Sequence, residues 1–241
     1  METISTQGIV IHYIKYLDSG VIVKIFTKEA GLHSYIVKGV RKEKSRIKAA
    51  WFQPLTLLDI VALHSDKRTI QYIKEVSMSH SLTEISYDIR KSSLSIFIAE
   101  LMHKSIKEEL CNKELFEFLQ TIIIKLDELT QGFAIFHLWF AINLTKYLGF
   151  YPHNNFSEDC FFDLNEGVFS ELQPNNELYL NKSLSKLFSS LMNLDIEELH
   201  NFVIIKSDKK LLLESIFVFY KIHVSNFGTM KSHLVLEEVF V

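Results

Sequence analysis

The sequence predicts an α+β chain of two domains, a small five-stranded β-barrel over residues 1–80 and an all-helical domain over residues 81–241. Three observations carry that expectation. Up to about residue 80, short runs rich in Val, Ile, Tyr and Phe are separated by turn or charge signals, with no helical stretch between them. After about Ser81 the apolar residues recur at i, i+3, i+4 and i+7, the period of a one-sided helix. The charge changes sign at the same place. Residues 1–80 carry 12 Lys and Arg against 7 Asp and Glu, net +5, and the remainder carries 14 against 22, net −8.

The strands read in order as "GIVIHYIKYL", "VIVKIFT", "LHSYIVK", "LTLLDIVAL" and "TIQYIKEV", broken at "DSG", "KEAG", a basic stretch and "HSDKR". Five short strands without a crossover helix fit a small barrel, of the oligonucleotide/oligosaccharide-binding (OB) type or the Src-homology type, and strand count does not choose between them. The helices follow. Leu94, Phe97, Ile98, Leu101, Met102 and Ile106 share one face, and Leu115, Phe118, Leu119, Ile122, Ile123 and Leu126 another. A third helix spans about 133–148, ended by Gly149 and Pro152. A fourth spans about 208–224, with Asp208 as its N-cap. Between them, residues 151–181 are polar and interrupted by Asn, Pro and Gly, which reads as a loop or small extended subdomain.

Several function classes drop out. The chain has no Gly-rich phosphate loop, G-x-S-x-G, H-E-x-x-H or paired C-x-x-C. The adjacent carboxylates Glu108/Glu109, Glu197/Glu198 and Glu237/Glu238 read as solvated surface, and His137 and His223 as core residues, so no enzyme is expected. Two cysteines cannot build a disulfide framework, and the first residues lack the pattern of a secretory signal, which together suggest a reducing cytoplasm. The window 132–150 is apolar but carries His137, Asn143, Thr145 and Lys146, so it reads as a buried helix and not a membrane span.

What remains is the basic stretch. Residues 38–48 hold Lys38, Arg41, Lys42, Lys44, Arg46 and Lys48 against a single carboxylate. So many like charges resist burial, and the segment is either a solvated loop or the face that meets a polyanion. Phosphate contacts need charge density and reach more than a fixed motif. Lys15, Lys24, Lys67 and Arg68 would widen the patch if they face the same way, and Tyr13, Tyr16, Phe26 and Tyr35 are candidates to stack on unpaired bases.

The order "GIVIHYIKYLDSGVIVKIFTKEAGLHSYIVKGVRKEKS" followed by "FQPLTLLDIV" resembles the N-terminal domain of the bacterial RecO family. The positions that carry the likeness are Tyr16, Asp18, Phe26, Thr27, Gly31, Lys38, Gly39, Arg41, Ser45, Pro54 and Leu55. "LTKYLGFYP" and "LLLESIFVFYKIHVSNFGTMKSHLVLEEV" resemble later family segments, so the likeness runs through nearly the whole chain. It implies an OB-fold barrel at the N-terminus and a helical C-terminal domain. It also implies DNA repair and recombination in the RecF pathway: binding of single- and double-stranded DNA, annealing of complementary strands, and loading of RecA together with RecR. A further implied partner is the acidic tail of the single-strand DNA-binding protein. A tail ending in Phe needs an apolar pocket with a basic rim, for which Lys146, Lys206, Lys209, Lys210 and Lys231 are candidates.

Many members carry a four-cysteine zinc site after the Leu-Gly-Phe-x-Pro helix. Here residues 151–181 offer only Cys160 and His153. The expectation is therefore no zinc and no other cofactor, with Phe156, Phe161, Phe162 and Phe169 packing in its place. The protein is expected in the cytoplasm, with the nucleoid, and without membrane partners. Two other readings stay open: an RNA-binding module of OB type, and a scaffold whose basic loop docks an acidic protein.

Overall fold

The computed structural model describes residues 2–40, 47–65, 67–107 and 111–240. Contacts divide the chain into two compact units, 1–128 and 129–241.

In the first unit, β1 (Glu2–Tyr16), β2 (Gly20–Thr27), β3 (Gly31–Val37), β4 (Leu57–His64) and β5 (Ile70–Met78) close into a barrel. Around the ring, β1 pairs antiparallel with β2 and with β4, β2 with β3, and β4 with β5. The ring is completed by a parallel pairing of β3 with β5. That order, 1-2-3-5-4, is the OB arrangement and resolves the choice that strand count leaves open.

Strand alternation sends Val10, Val21, Val23, Ile25, Tyr35, Val37, Leu58, Ile60 and Ala62 into one core. Phe52, on a 3-10 turn at Ala49–Phe52, joins them. The long β1 needs a register shift between Val10 and His12, so Val10 and Ile11 are both buried and the strand bends. At Gly8 a β-carbon would come within 2.6 Å of Ile25 Cγ2, so only glycine lets β1 approach β2 this closely.

The first two helices pack with the barrel. They are α1 (Ile89–Ser105) and α2 (Lys113–Glu128). Asp88 caps α1 by accepting the Arg90 N–H at 2.8 Å, and the Arg90 guanidinium holds its carboxyl down at about 2. Phe116 of α2 lies 6.1 Å, ring to ring, from Phe26 on the outside of β2, and both are fully buried. Burial of such a ring stabilises by about 2–3 kcal/mol. The link from barrel to helices is fixed by Asp127, whose carboxylate accepts the N–H groups of Thr83 and Ile85 at 3.1 and 2.7 Å. Lys91 donates its ammonium to the Asp127 carbonyl.

The second unit is built around α3 (Phe133–Tyr147), which is buried on nearly every side. That all-round burial is why this apolar window is a core helix. Among the described residues no helix is long and apolar enough to cross a membrane. Its polar atoms are answered across the unit: Trp139 Nε1 donates to the Leu194 carbonyl, and Tyr220 Oη donates to the Ala141 carbonyl, both at 2.7 Å. Gly149, at φ 83°, ends α3 by letting the Phe150 N–H turn back to the Thr145 carbonyl. Phe150 then stacks on His223 at 5.3 Å.

Residues 151–181 form a small three-stranded sheet in the order β7-β6-β8, from β6 (Phe161–Asp163), β7 (Val168–Ser170) and β8 (Tyr179–Leu180). The C-terminal region is thus helical except for this sheet. Phe162 is fully buried and contacts the rings of Phe169, Phe188 and Phe219, while Phe156 packs edge-on to Phe169.

Three further helices follow, α4 (Lys182–Met192), α5 (Lys206–His223) and α6 (His233–Val239). Neither α4 nor α6 was expected from the sequence. Asp208 is not the N-cap of the helix that holds it. The α5 helix starts two residues earlier with Ile205 at the cap, and Asp208 lies in the first turn, where its charge favours the helix dipole.

Candidate nucleic-acid interface

The candidate interface grows from strand parity. On the outside of the barrel the register aligns Ile14, Ile22, Ile36 and Tyr72 in one row across β1, β2, β3 and β5. The neighbouring row is His12, Lys24, Ser34 and Ile70. Further along the same side, Phe26 and Leu32 are covered, Phe26 by α2. The near rows are open at their ends, where Ile14 is 50% exposed and Tyr72 37%, while Ile36 between them is buried. Tyr16, also 37% exposed, pairs with Gly20, where a β-carbon would crowd the backbone carbonyls of Tyr16 and Val37 at 3.0 and 3.2 Å.

Cations gather on Tyr72. The Lys38 ammonium is 6.0 Å and the Arg68 guanidinium 5.6 Å from its ring centroid. Arg68 comes from the loop between β4 and β5, and that loop is held from inside by Gln71. The buried Gln71 amide accepts the Ser65 N–H at 2.9 Å and donates to the carbonyls of Ser65 and Arg68 at 3.0 and 2.8 Å. A residue pointing into the barrel thereby positions a cation on the outside.

Of the expected contact residues, the structure brings Lys38 and Arg68 together and places Lys24 on the same face. Lys24 sits near His103 of α1, which burial, followed by the Lys24 and His12 charges, pushes down to about 4. Lys15 is exposed but pairs with Val21, on the side of the sheet that faces the core. Lys48 is exposed at the N-cap of the 3-10 turn. Arg41, Lys42, Lys44 and Arg46 lie outside the described residues.

Two of the four stacking candidates are excluded. Phe26 and Tyr35 are completely buried, and burial pushes the Tyr35 phenol up to about 12. Tyr13 packs against the barrel core. Tyr72 is the ring that sequence reasoning missed, and its signal was positional: it alternates with the inward Gln71 and Ile73.

A second surface lies within the unit 129–241. A cavity of about 230 Å³ is lined by His137, His233, Leu213, Leu236 and Phe240 together with Lys206, Lys209, Lys210 and the carboxylate Glu237. Burial, reinforced by Lys206, depresses Lys209 below the usual lysine range, and Glu237 opposes the shift. Of the five lysines considered for a basic rim, these three line it.

A four-cysteine zinc site, which the resemblance would imply, does not fit residues 151–181. Their one cysteine, Cys160, is buried with its sulfur 2.9 Å from Ser157 Oγ, and Phe162 and Phe169 pack ring to ring at 4.8 Å. Among the described residues no three His, Cys, Asp or Glu side chains are grouped to hold an ion.

A barrel of this strand order with an open aromatic and basic face, followed by a helical unit, defines an OB-fold protein with a separate helical region. The comparisons then name the family. The family model described as "Recombination protein O N terminal" matches residues 1–82, and "Recombination protein O C terminal" matches 86–233. The chain is 40% identical over 238 residues to the DNA repair protein RecO of Flavobacterium psychrophilum, covering 98% of this chain and 99% of that one. The RecO of Azobacteroides pseudotrichonymphae is 32% identical with 98% of both chains covered, and that of Porphyromonas gingivalis 25% with 98% and 99%. The chain belongs to the RecO family, and with it to DNA repair and recombination.

Proposed function

We propose that the chain is a non-catalytic recombination mediator of the RecF pathway. It binds single- and double-stranded DNA on the open barrel face, anneals complementary strands, and with RecR helps RecA load onto protein-covered single strands. The observation that carries the DNA-binding reading is the exposed Tyr72 ring flanked by Lys38 and Arg68. Stacking of a base on an aromatic ring is sequence-tolerant, and adjacent cations neutralise phosphates, which together suit a protein that handles any single strand. Arg41, Lys42, Lys44, Arg46, Lys48 and Lys24 extend the phosphate contacts in this reading, and Lys15, whose strand position has the opposite parity, lies off that face. Screening of the charge between two strands then favours their pairing.

The basic-rimmed cavity of Lys206, Lys209 and Lys210 supports a docking site for the acidic, Phe-terminated tail of the single-strand DNA-binding protein. Its apolar floor suits the ring and its rim the carboxylates. Residues 1–80 are the DNA-binding domain and 81–241 the helical domain in this proposal, working in the cytoplasm with the nucleoid. The test is annealing of complementary oligonucleotides coated with the cognate single-strand DNA-binding protein. The intact chain should accelerate annealing, and Arg41→Glu/Lys44→Glu/Arg46→Glu should not. Equal acceleration by both would move the DNA site off the basic stretch, and none by either would remove the mediator reading.

A further inference from the structure

One stretch of the second unit has the form of a strand with no strand beside it. Residues 202–205, between a 3-10 turn (Ile196–Asn201) and α5, read Phe-Val-Ile-Ile, and both ends are extended, with φ −80° and ψ 117° at Phe202 and φ −76° and ψ 153° at Ile205. Exposure alternates with the period of a strand: Val203 and Ile205 are 86% and 63% exposed, and Phe202 and Ile204 are half-buried. The ends are anchored. The Phe202 N–H donates to the Leu199 carbonyl at 3.3 Å, and the Ile205 carbonyl accepts the Lys209 N–H at 3.0 Å. Between them, the backbone groups of Val203 and Ile204 have no hydrogen-bond partner among the described residues. Three of the four residues are β-branched, and the stretch contains none of the lysines or prolines that blunt such an edge.

The flanks decide what pairs there. Residues 195–200 carry three carboxylates and no Lys or Arg, and residues 206–210 carry three lysines and one carboxylate. A partner strand of one charge sign is attracted at one end and repelled at the other. A second copy laid antiparallel sets the acidic flank of each chain against the basic flank of the other. Residues opposite one another in such a pair point to the same side of the sheet, so the two-fold axis falls at Ile204 and the outward Val203 of one copy meets the outward Ile205 of the other. We infer that residues 202–205 are a strand-pairing edge through which two copies of this chain join antiparallel. The pairing is short, well under the roughly 1,200 Å² of a standard interface, so the dimer is a transient one. Its use rests on the mediator reading given above: each copy brings its own barrel, and a pair holds two strands of DNA at once.

The experiment is sedimentation velocity of the full chain over a rising concentration series. The parent should show a reversible dimer. Val203→Lys puts a charge into the apolar cross-strand pair, and Ile205→Pro removes an edge N–H at a φ that proline accepts. Both side chains are exposed, so the fold is retained, and each variant should dimerise about tenfold more weakly. Glu198→Lys and Lys210→Glu should each be monomeric alone and form a mixed dimer when combined, because each then opposes the other's reversed flank. A parent that stays monomeric, or a dimer unchanged in both edge variants, would overturn the inference. Annealing by Val203→Lys at the parent's rate would remove the pair from the annealing role and leave the edge standing. A parent that dimerises but anneals nothing would overturn the mediator reading and not the edge.

Discussion

Whether a tyrosine in this barrel can meet DNA is decided by the parity of its strand position, and residue type does not reveal it. Tyr35 pairs with Gln71 and Tyr72 with Ile36, one position further along the same ladder, yet Tyr35 is fully buried and Tyr72 is 37% exposed. Basic density was legible in the sequence because charge needs no pairing partner to be seen. Tyr72 was not, because its side of the sheet is fixed by a parallel pairing to β3, some 36 residues away, and because the inward Gln71 disguises the alternation. Replacement Tyr72→Ala should weaken single-strand binding by about 1–3 kcal/mol, roughly 5- to 150-fold, while Tyr72→Phe retains the affinity. The ring lies outside the core, so thermal unfolding should not move by more than a degree or two. Fluorescence titration with a labelled oligonucleotide checks the affinity, and equal affinity for Ala and Phe would take the ring out of the site.

At the scale of elements, legibility depended on length and on clear ends. The first two helices were readable since their apolar positions repeat, and α3 from a long apolar run ended by Gly149 and Pro152. The helix α4 was not, although Asn181 caps it by accepting the Leu184 N–H at 2.9 Å and Leu184, Phe188, Leu191 and Met192 share its buried side. The polar run before it hid the start. The α3 helix supplies a pH prediction. His137 on it is 3% exposed, and burial, followed by the Lys209 charge, pushes its pKa down to about 3. A histidine whose folded value is depressed binds fewer protons in the native state than in the unfolded one. Its effect on stability is absent above pH 6.5 and grows as pH falls from 6.5 toward 3. The slope approaches about 1.4 kcal/mol per pH unit at full separation. Denaturant unfolding of the parent and His137→Gln at pH 7, 6, 5 and 4 should therefore converge as the pH drops, since Gln carries no such proton. Parallel stability curves would show that His137 titrates alike in both states.

At the scale of the whole molecule, the change of charge and period near residue 80 was legible, whereas which helices support the barrel was not. Sequence separation conceals that support: Phe26 is covered by Phe116, and Thr83 and Ile85 are tied to Asp127. A fragment of residues 1–80 would leave Phe26 and its neighbour Leu32 facing water, the kind of exposed apolar patch that drives association. A fragment of residues 1–128 keeps them covered and retains Tyr72, Lys38, Arg68 and the basic stretch. The longer fragment should thus be monomeric, and should bind single-stranded oligonucleotide with the salt dependence of the intact chain. If four to six cations meet phosphates, log affinity falls with log salt at a slope of about −3 to −4. The fragment of residues 129–241, drawn from the acidic part of the chain, should show no such slope. Sedimentation of the two N-terminal fragments and salt titrations of all three measure this. A monomeric 1–80 fragment would mean that α2 is dispensable for the barrel. A steep slope in 129–241 would mean that the helical unit carries phosphate contacts of its own.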